Sequence, residues 1–507
     1  MATGKHVNYL ETALLAILAA SVLFFAMYNL EGYPSMSSWD EGMLLQYPKN
    51  LALYGKYGYR TSEGIRIGFT SVGPTVMLPI ALVFKVLGVG LWQARAVMGV
   101  FLMLAVVAVY FLGRCMYGPK VAVAAAFLFL CPTSHWMNTI WLGRQLYGEV
   151  PATFFLLCGT YLWLKSLEGD RRLFIMGAGL MFALAVITKY QYIWIAPSLI
   201  VVWFLDRVLH KRRLKISHFS VLLLGFAICF VIGAGYVIAQ AGLNGLIRHV
   251  SGMGVLSSRV AWTFSPRLWY DNARFLYQFN FVLWGVPSLI YVFLLHTRKR
   301  EEQIGQLLLP TFAVLWAIWY IFASIGWERY AYPAFAMITI SAAKFFTDLT
   351  EGFDISLSKL RLALSRQGGV SVFKNVAVTA LVVLSVLIPL LSTAKRAISS
   401  HDQTAQQFAE YVDSHIPTDA LIESWQLEID FLTDRDYHHP SRKDKVALHK
   451  HIYFGDPYPT YSIQDEFDYV IDGPFSKLVG IYSSDLQKGS WELVTSIGEY
   501  DLYKRAD

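Results

Sequence analysis

Charge is scarce in this chain. Lys, Arg, Asp and Glu make up 16% of its 507 residues, against roughly a quarter in soluble proteins, while apolar residues reach 55%. That balance excludes an ordinary soluble globule and points to a membrane protein. Cysteine is nearly as rare. Cys115, Cys131, Cys158 and Cys229 all fall inside or beside apolar windows, at spacings that match no metal motif, so they read as packing residues rather than a disulfide framework. Repeats of fixed period and low-complexity tracts are also missing, which removes solenoid arrays. The net charge of +7 comes mainly from short basic clusters between apolar windows, and no motif for nucleic acid accompanies it.

What the chain does have is a succession of apolar windows of about 20 residues, each long enough to cross a hydrocarbon core of about 30 Å as a helix. Candidate spans cover residues 9–30, 70–90, 92–113, 120–137, 147–165, 173–189, 190–206, 218–240, 276–296, 306–325, 328–347 and 374–393. The first is longer than a usual signal core and has no small-residue cleavage pattern after it, so it is expected to stay as a span. The fold class predicted is an α-helical polytopic membrane protein of about 11–13 transmembrane helices, with a small C-terminal α/β domain.

Three basic segments, Asp206 to Lys215, His296 to Glu301 and Lys359 to Lys374, belong on the cytoplasmic side by the positive-inside rule. They place the loops 31–69 and 241–275, the connection near Gly326, and everything beyond about residue 394 outside. The expected division is therefore a transmembrane module over 1–395 and a soluble extracytoplasmic domain over 396–507, in the cytoplasmic (inner) membrane. Span count and charge rule disagree by one crossing between residues 70 and 206. In the C-terminal part, "HDQTAQQFAEYVDSHIP" predicts an amphipathic helix stopped by Pro417, "ALIES" and "FDYVIDGPF" predict strands, and "WELVTSIGEYDLYK" a closing hairpin.

Polar groups at membrane depth or at its surface are costly, which makes them the informative residues. Asp40 and Glu41 in "SSWDEG" precede a predicted helix from Glu41 to Tyr54, kinked at Pro48, whose Leu44, Leu45, Leu51 and Tyr54 suit an interfacial apolar side. A carboxylate held there can cap the helix, or act as a general base on a hydroxyl or amine. Lys56, Arg60 and Arg66 make the same loop basic, as an anionic headgroup would require. Arg144 and Glu149 flank the start of a span, either neutralising each other or lining a cavity. Lys189 lies between two apolar windows, Glu328, Arg329 and Tyr330 sit at the mouth of a late span, and Arg248, His249, Arg259, Arg267 and Arg274 crowd the 242–274 segment.

In order along the chain, "SSWDEG", the Gly73-Pro74 span start, "GLWQARAV" with Arg95, "GRQLYGEVPATFF", "ITK" and "ERYAYP" resemble the polyprenyl-phosphate-sugar-dependent glycosyltransferases of the GT-C type. The set is most similar to the branch with lipid A aminoarabinose transferases and protein O-mannosyltransferases, the family 39 glycosyltransferases. The resemblance implies that Asp40 is the base or positions the acceptor nucleophile, with Glu41 as its partner. It places Arg329 in a late Arg-Tyr motif and makes Arg144 and Glu149 a cavity-facing pair; Tyr330 at the late span mouth and Arg259 of the basic segment are further cavity candidates. One departure is "TSVGPT", where the aminoarabinose branch has a charged Glu-Lys pair before a double proline. The donor-phosphate cation is therefore open among Lys56, Arg60, Arg66, Lys189 and Arg329.

Implied in turn is inverting transfer of a hexosyl or pentosyl unit from a polyprenyl-phosphate donor to a lipid, glycan or protein acceptor. A divalent metal on Asp40 and Glu41 stays open, since relatives differ. The alternative is a transporter or flippase of a lipid-linked or anionic substrate. Against it stand the missing internal repeat and the exported domain.

Overall fold

The computed structural model describes residues 9–506 apart from 37–38, 62–63, 69, 134–137, 170, 210–213, 261, 279–280, 299–303, 354–369, 459–460 and 465. In chain order the elements are α1 (Tyr9–Met27), α2 (Trp39–Tyr54), β1 (Gly58–Thr61), β2 (Gly64–Ile67), α3 (Pro74–Leu87), α4 (Leu91–Tyr117), α5 (Pro119–Leu130), α6 (Thr139–Arg144), α7 (Glu149–Leu167), α8 (Arg172–Thr188), α9 (Ile195–Val208) and α10 (Ile216–Val260). They continue with α11 (Pro266–Gln278), α12 (Val286–Arg298), α13 (Leu308–Ala323), α14 (Tyr332–Leu349), α15 (Val370–Ser399), α16 (Thr404–His415), β3 (Ile422–Ser424), α17 (Leu427–Leu432), β4 (Tyr437–His438), α18 (Arg442–Phe454), β5 (Tyr469–Asp472), β6 (Trp491–Ile497) and β7 (Tyr500–Arg505).

Every predicted span contains a helix, and among the described residues seven helices are long and apolar enough to cross a membrane. The chain is a multi-pass membrane protein. Where the span count and the charge rule conflict, the helices are short: α3 has 14 residues, α5 has 12 and α9 has 14. At 1.5 Å per residue these reach only about 18–21 Å. Pro74 opens α3 at its first turn after an extended Gly73, the position where a missing N–H costs nothing. The 241–275 segment is largely helical, with α10 broken at Gly242, whose φ of 68° suits glycine. The basic segments that fixed the expected sidedness lie in large part outside the described residues.

Two compact units divide the chain. One comprises residues 1–28 and 98–396; the other comprises 29–97 together with 397–507. In the second unit a five-stranded sheet has the order β4-β3-β5-β7-β6. β3 runs parallel to β4 and β5, and β7 runs antiparallel to β5 and β6. Alternation along β5 turns Ile471 to one core with Phe408 and Val412 of α16, and Val470 to another with Trp425, Leu448 and Tyr482. The helix ending before Pro417, the two strands and the hairpin predicted from sequence are all present.

α2 departs from the interfacial helix expected. Leu44 and Leu45 are buried, but so are Gln46, Lys49 and Asn50, while Tyr54 is exposed. From Leu44 to Asn50 polar and apolar side chains alike are enclosed, the polar ones by hydrogen-bond partners.

Candidate functional site

In the second unit the acidic pair divides its work. Asp40 lies in the first turn of α2 and is half-buried. Glu41 is fully buried, and Arg95 from the start of α4 grips both of its oxygens, Nε to Oε1 at 3.0 Å and Nη2 to Oε2 at 2.6 Å. The same guanidinium donates through Nη1 to the carbonyls of Leu30 and Pro34, each at 2.7 Å. Planar, bidentate pairing of this kind is what arginine offers and lysine does not. Arg95 thus ties the chain entering α2 to its first turn. Any metal shared by Asp40 and Glu41 would compete with the guanidinium from which both Glu41 oxygens already accept. Among the described residues no group of three His, Cys, Asp or Glu is placed to hold an ion.

The cations of the first loop are spread out. Lys56 and Arg66 are exposed, with Arg66 on β2 opposite Tyr59 of β1. Arg60 is engaged by two carboxylates, Asp434 at 3.0 Å and Asp436 at 2.6 Å.

The first unit brings other candidates together. Glu149 is the first residue of α7, Lys189 directly follows the last residue of α8, and Arg329 sits in the single turn Glu328–Tyr330 between α13 and α14. Lys189 Nζ lies 2.8 Å from Glu149 Oε1, and Arg329 Nε lies 3.9 Å from the same oxygen. A carboxylate at a helix N-terminus and a cation at a helix C-terminus each suit the helix dipole. Aromatic rings wall the group: the Arg329 guanidinium stands 4.8 Å from the Tyr147 ring and 4.7 Å from Trp327, and Lys189 Nζ stands 5.5 Å from Tyr330. The walls are themselves fixed. Tyr192 donates to the Glu149 carbonyl at 2.9 Å, and Trp316 Nε1 donates to the Tyr330 carbonyl at 2.6 Å.

Burying charge is expensive unless it is paired. Here two cations face one carboxylate beside aromatic rings. That arrangement suits a ligand with an anionic group and an apolar body.

Arg144 and Glu149 have different partners: Arg144, fully buried, donates to the carbonyls of Phe25 and Tyr28, the latter at 2.7 Å. Tyr330 is buried within the cage. The side chain of Arg259 lies outside the described residues, although α10 runs through it. Sequence reasoning noted Arg95 only as part of a motif, and it overlooked Lys49 and Gln46, both buried on α2. An arginine near the start of an apolar window was the available signal for the first.

Over residues 71–236 the chain matches the family model of the dolichyl-phosphate-mannose-protein mannosyltransferases. No curated protein matches it. Among solved structures it is similar to ArnT from Cupriavidus metallidurans bound to undecaprenyl phosphate, with a TM-score of 0.63 at 14% identity over 98% of each chain. It is also similar to the oligosaccharyltransferase AglB from Archaeoglobus fulgidus in complex with an inhibitory peptide and a dolichol-phosphate, with a TM-score of 0.59 at 13% identity over 99% of this chain and 74% of that one. The chain therefore has the GT-C membrane glycosyltransferase fold, and its segment 71–236 carries the sequence pattern of the mannosyltransferase model.

Proposed function

We propose that this protein is a membrane glycosyltransferase that moves a sugar from a polyprenyl-phosphate carrier to an acceptor hydroxyl or amine. Reaction on the extracytoplasmic face of the cytoplasmic membrane, and a hexosyl or pentosyl unit as the group transferred, belong to the same proposal. The observation that carries it is the buried Glu149, Lys189 and Arg329 group with its aromatic walls, in a fold shared with a protein whose structure holds undecaprenyl phosphate.

The chemistry needs little apparatus. A sugar carried on phosphate leaves as a phosphate monoester, so no acid is required on that side; cations that meet the developing charge suffice. Lys189 and Arg329 are assigned that role. Asp40 takes the proton from the acceptor as it attacks the anomeric carbon, with inversion. Glu41, held by Arg95, orients the turn that carries Asp40. Lys56, Arg60 and Arg66 are left to the first loop rather than to the donor phosphate.

Purified protein in lipid nanodiscs, a panel of radiolabelled polyprenyl-phosphate sugars and a crude membrane acceptor extract test this directly. Labelled acceptor is expected from the wild type, and its loss from Asp40→Asn with undecaprenyl phosphate binding retained. Transfer at the wild-type rate by Asp40→Asn would remove the base assignment. Transbilayer movement of the carrier without any transfer would favour a flippase.

A further inference from the structure

Side chains along α2 meet α17 and the residues after it in matching order. Gly42 lies against backbone: a Cβ at this position would stand 2.3 Å from the Glu428 nitrogen and 2.5 Å from its Cα. One turn further, Gln46 Nε2 donates to Asp430 Oδ2 at 3.1 Å, the oxygen that His439 Nε2 meets at 2.7 Å. Beyond that, the buried Lys49 sends Nζ to the carbonyls of Phe431 at 3.0 Å and Thr433 at 2.6 Å. The two helices therefore run side by side in the same direction.

Each contact has a physical reason to be specific. The last carbonyls of a helix lack intrahelical partners and favour a cation, and Lys49 supplies both. At Gly42 the helices meet main chain to main chain, which cannot swing aside as a side-chain tip can. Asp40 is in the same helical turn as Gly42.

We infer that the C-terminal domain positions the proposed base: α17 seats the first turn of α2 at Gly42, Lys49 fastens the helix two turns further on, and the placement of Asp40 depends on both. This rests on the reading of Asp40 as base. Gly42 and Lys49 are positioning residues, and their effect passes through Asp40.

Alanine is the better helix former, so Gly42→Ala strengthens α2 locally while forbidding the close approach. Restoring ordinary contact from 2.3 Å displaces the turn by about 1 Å, and a misplacement of that size costs about 10- to 100-fold in rate. The test uses the full chain in nanodiscs, with the radiolabelled polyprenyl-phosphate sugar that the wild type accepts and with undecaprenyl phosphate as the binding probe. Gly42→Ala and Lys49→Met are each expected to lower kcat by at least tenfold while undecaprenyl phosphate affinity stays within twofold. Lys49→Arg, which can still reach both carbonyls, should recover most of the rate. If Gly42→Ala does not fold, the two Lys49 variants decide. Wild-type kcat in both Gly42→Ala and Lys49→Met, with Asp40→Asn inactive, overturns the seat and leaves the base. Loss of kcat, affinity and thermal stability together, without recovery in Lys49→Arg, also overturns it. An active Asp40→Asn, or a wild type inert with every sugar in the panel, removes the base and the seat with it.

Discussion

Arg95 holds Glu41 by both carboxylate oxygens, at 3.0 and 2.6 Å, with both side chains sealed from solvent. Removing one partner of such a pair leaves an uncompensated buried charge, which costs about 3–5 kcal/mol. Arg95 also serves the carbonyls of Leu30 and Pro34, and a buried acceptor left without its donor adds about 1–3 kcal/mol. Arg95→Met is therefore expected to destabilise more than Glu41→Gln, whose amide oxygen still accepts from the guanidinium. Thermal inactivation in detergent measures the order. Equal losses would show that the two carbonyls contribute nothing.

Replacing Lys189 or Arg329 by Met should weaken undecaprenyl phosphate binding. A hydrogen bond to a charged group contributes about 1.5–3 kcal/mol, which corresponds to roughly 10- to 100-fold in affinity. Glu149→Gln is expected to act in the opposite sense. It removes the anion that faces the two cations, so the empty protein melts earlier and undecaprenyl phosphate binds several-fold tighter. Tighter binding in all three variants, or weaker binding in all three, would contradict the assignment of the phosphate to this group.

Arg60 should be dispensable for the donor. Its guanidinium is committed to Asp434 and Asp436, whose side chains are 71% and 64% exposed, and exposed pairs are worth about 0–1 kcal/mol. Arg60→Ala is expected to leave undecaprenyl phosphate affinity within twofold at moderate salt. A tenfold loss would return Arg60 to the donor site.

The helices could be read from the sequence because long apolar windows leave one outcome in a bilayer. Strands such as Ile422–Ser424 and Tyr469–Asp472 were equally visible, since their apolar runs are short and bounded by turn residues. The site was legible by residue type and not by partnership. Glu41 stands next to Asp40, yet its partner is 54 positions away. Gln46 and Lys49 look like ordinary polar residues of a short amphipathic helix, and only the fold brings Asp430, Phe431 and Thr433 against them. Arg144 and Glu149 show the converse. Five positions apart, they suggest a pair, but a helix start intervenes and sends one to main-chain carbonyls and the other to Lys189.

Glu428 gives the C-terminal domain a pH dependence with a definite sign. Burial pushes its carboxyl up to about 7 from an ordinary 4.5, with the nearby Asp430 adding to the rise, against the pull of the Tyr500 hydroxyl that donates to Oε1 at 3.0 Å. Between those values the folded domain holds a proton that the unfolded chain has released, so stability falls as pH rises through that window, and the whole penalty is present above it. The difference corresponds to at most roughly 3 kcal/mol. Glu428→Gln keeps an acceptor for Tyr500 and cannot ionise. It is expected to raise the melting temperature by several degrees at pH 8 and to change it little at pH 4.5. Thermal unfolding of the full chain at the two pH values measures this, and an equal gain at both would assign the effect to packing and not to the buried charge.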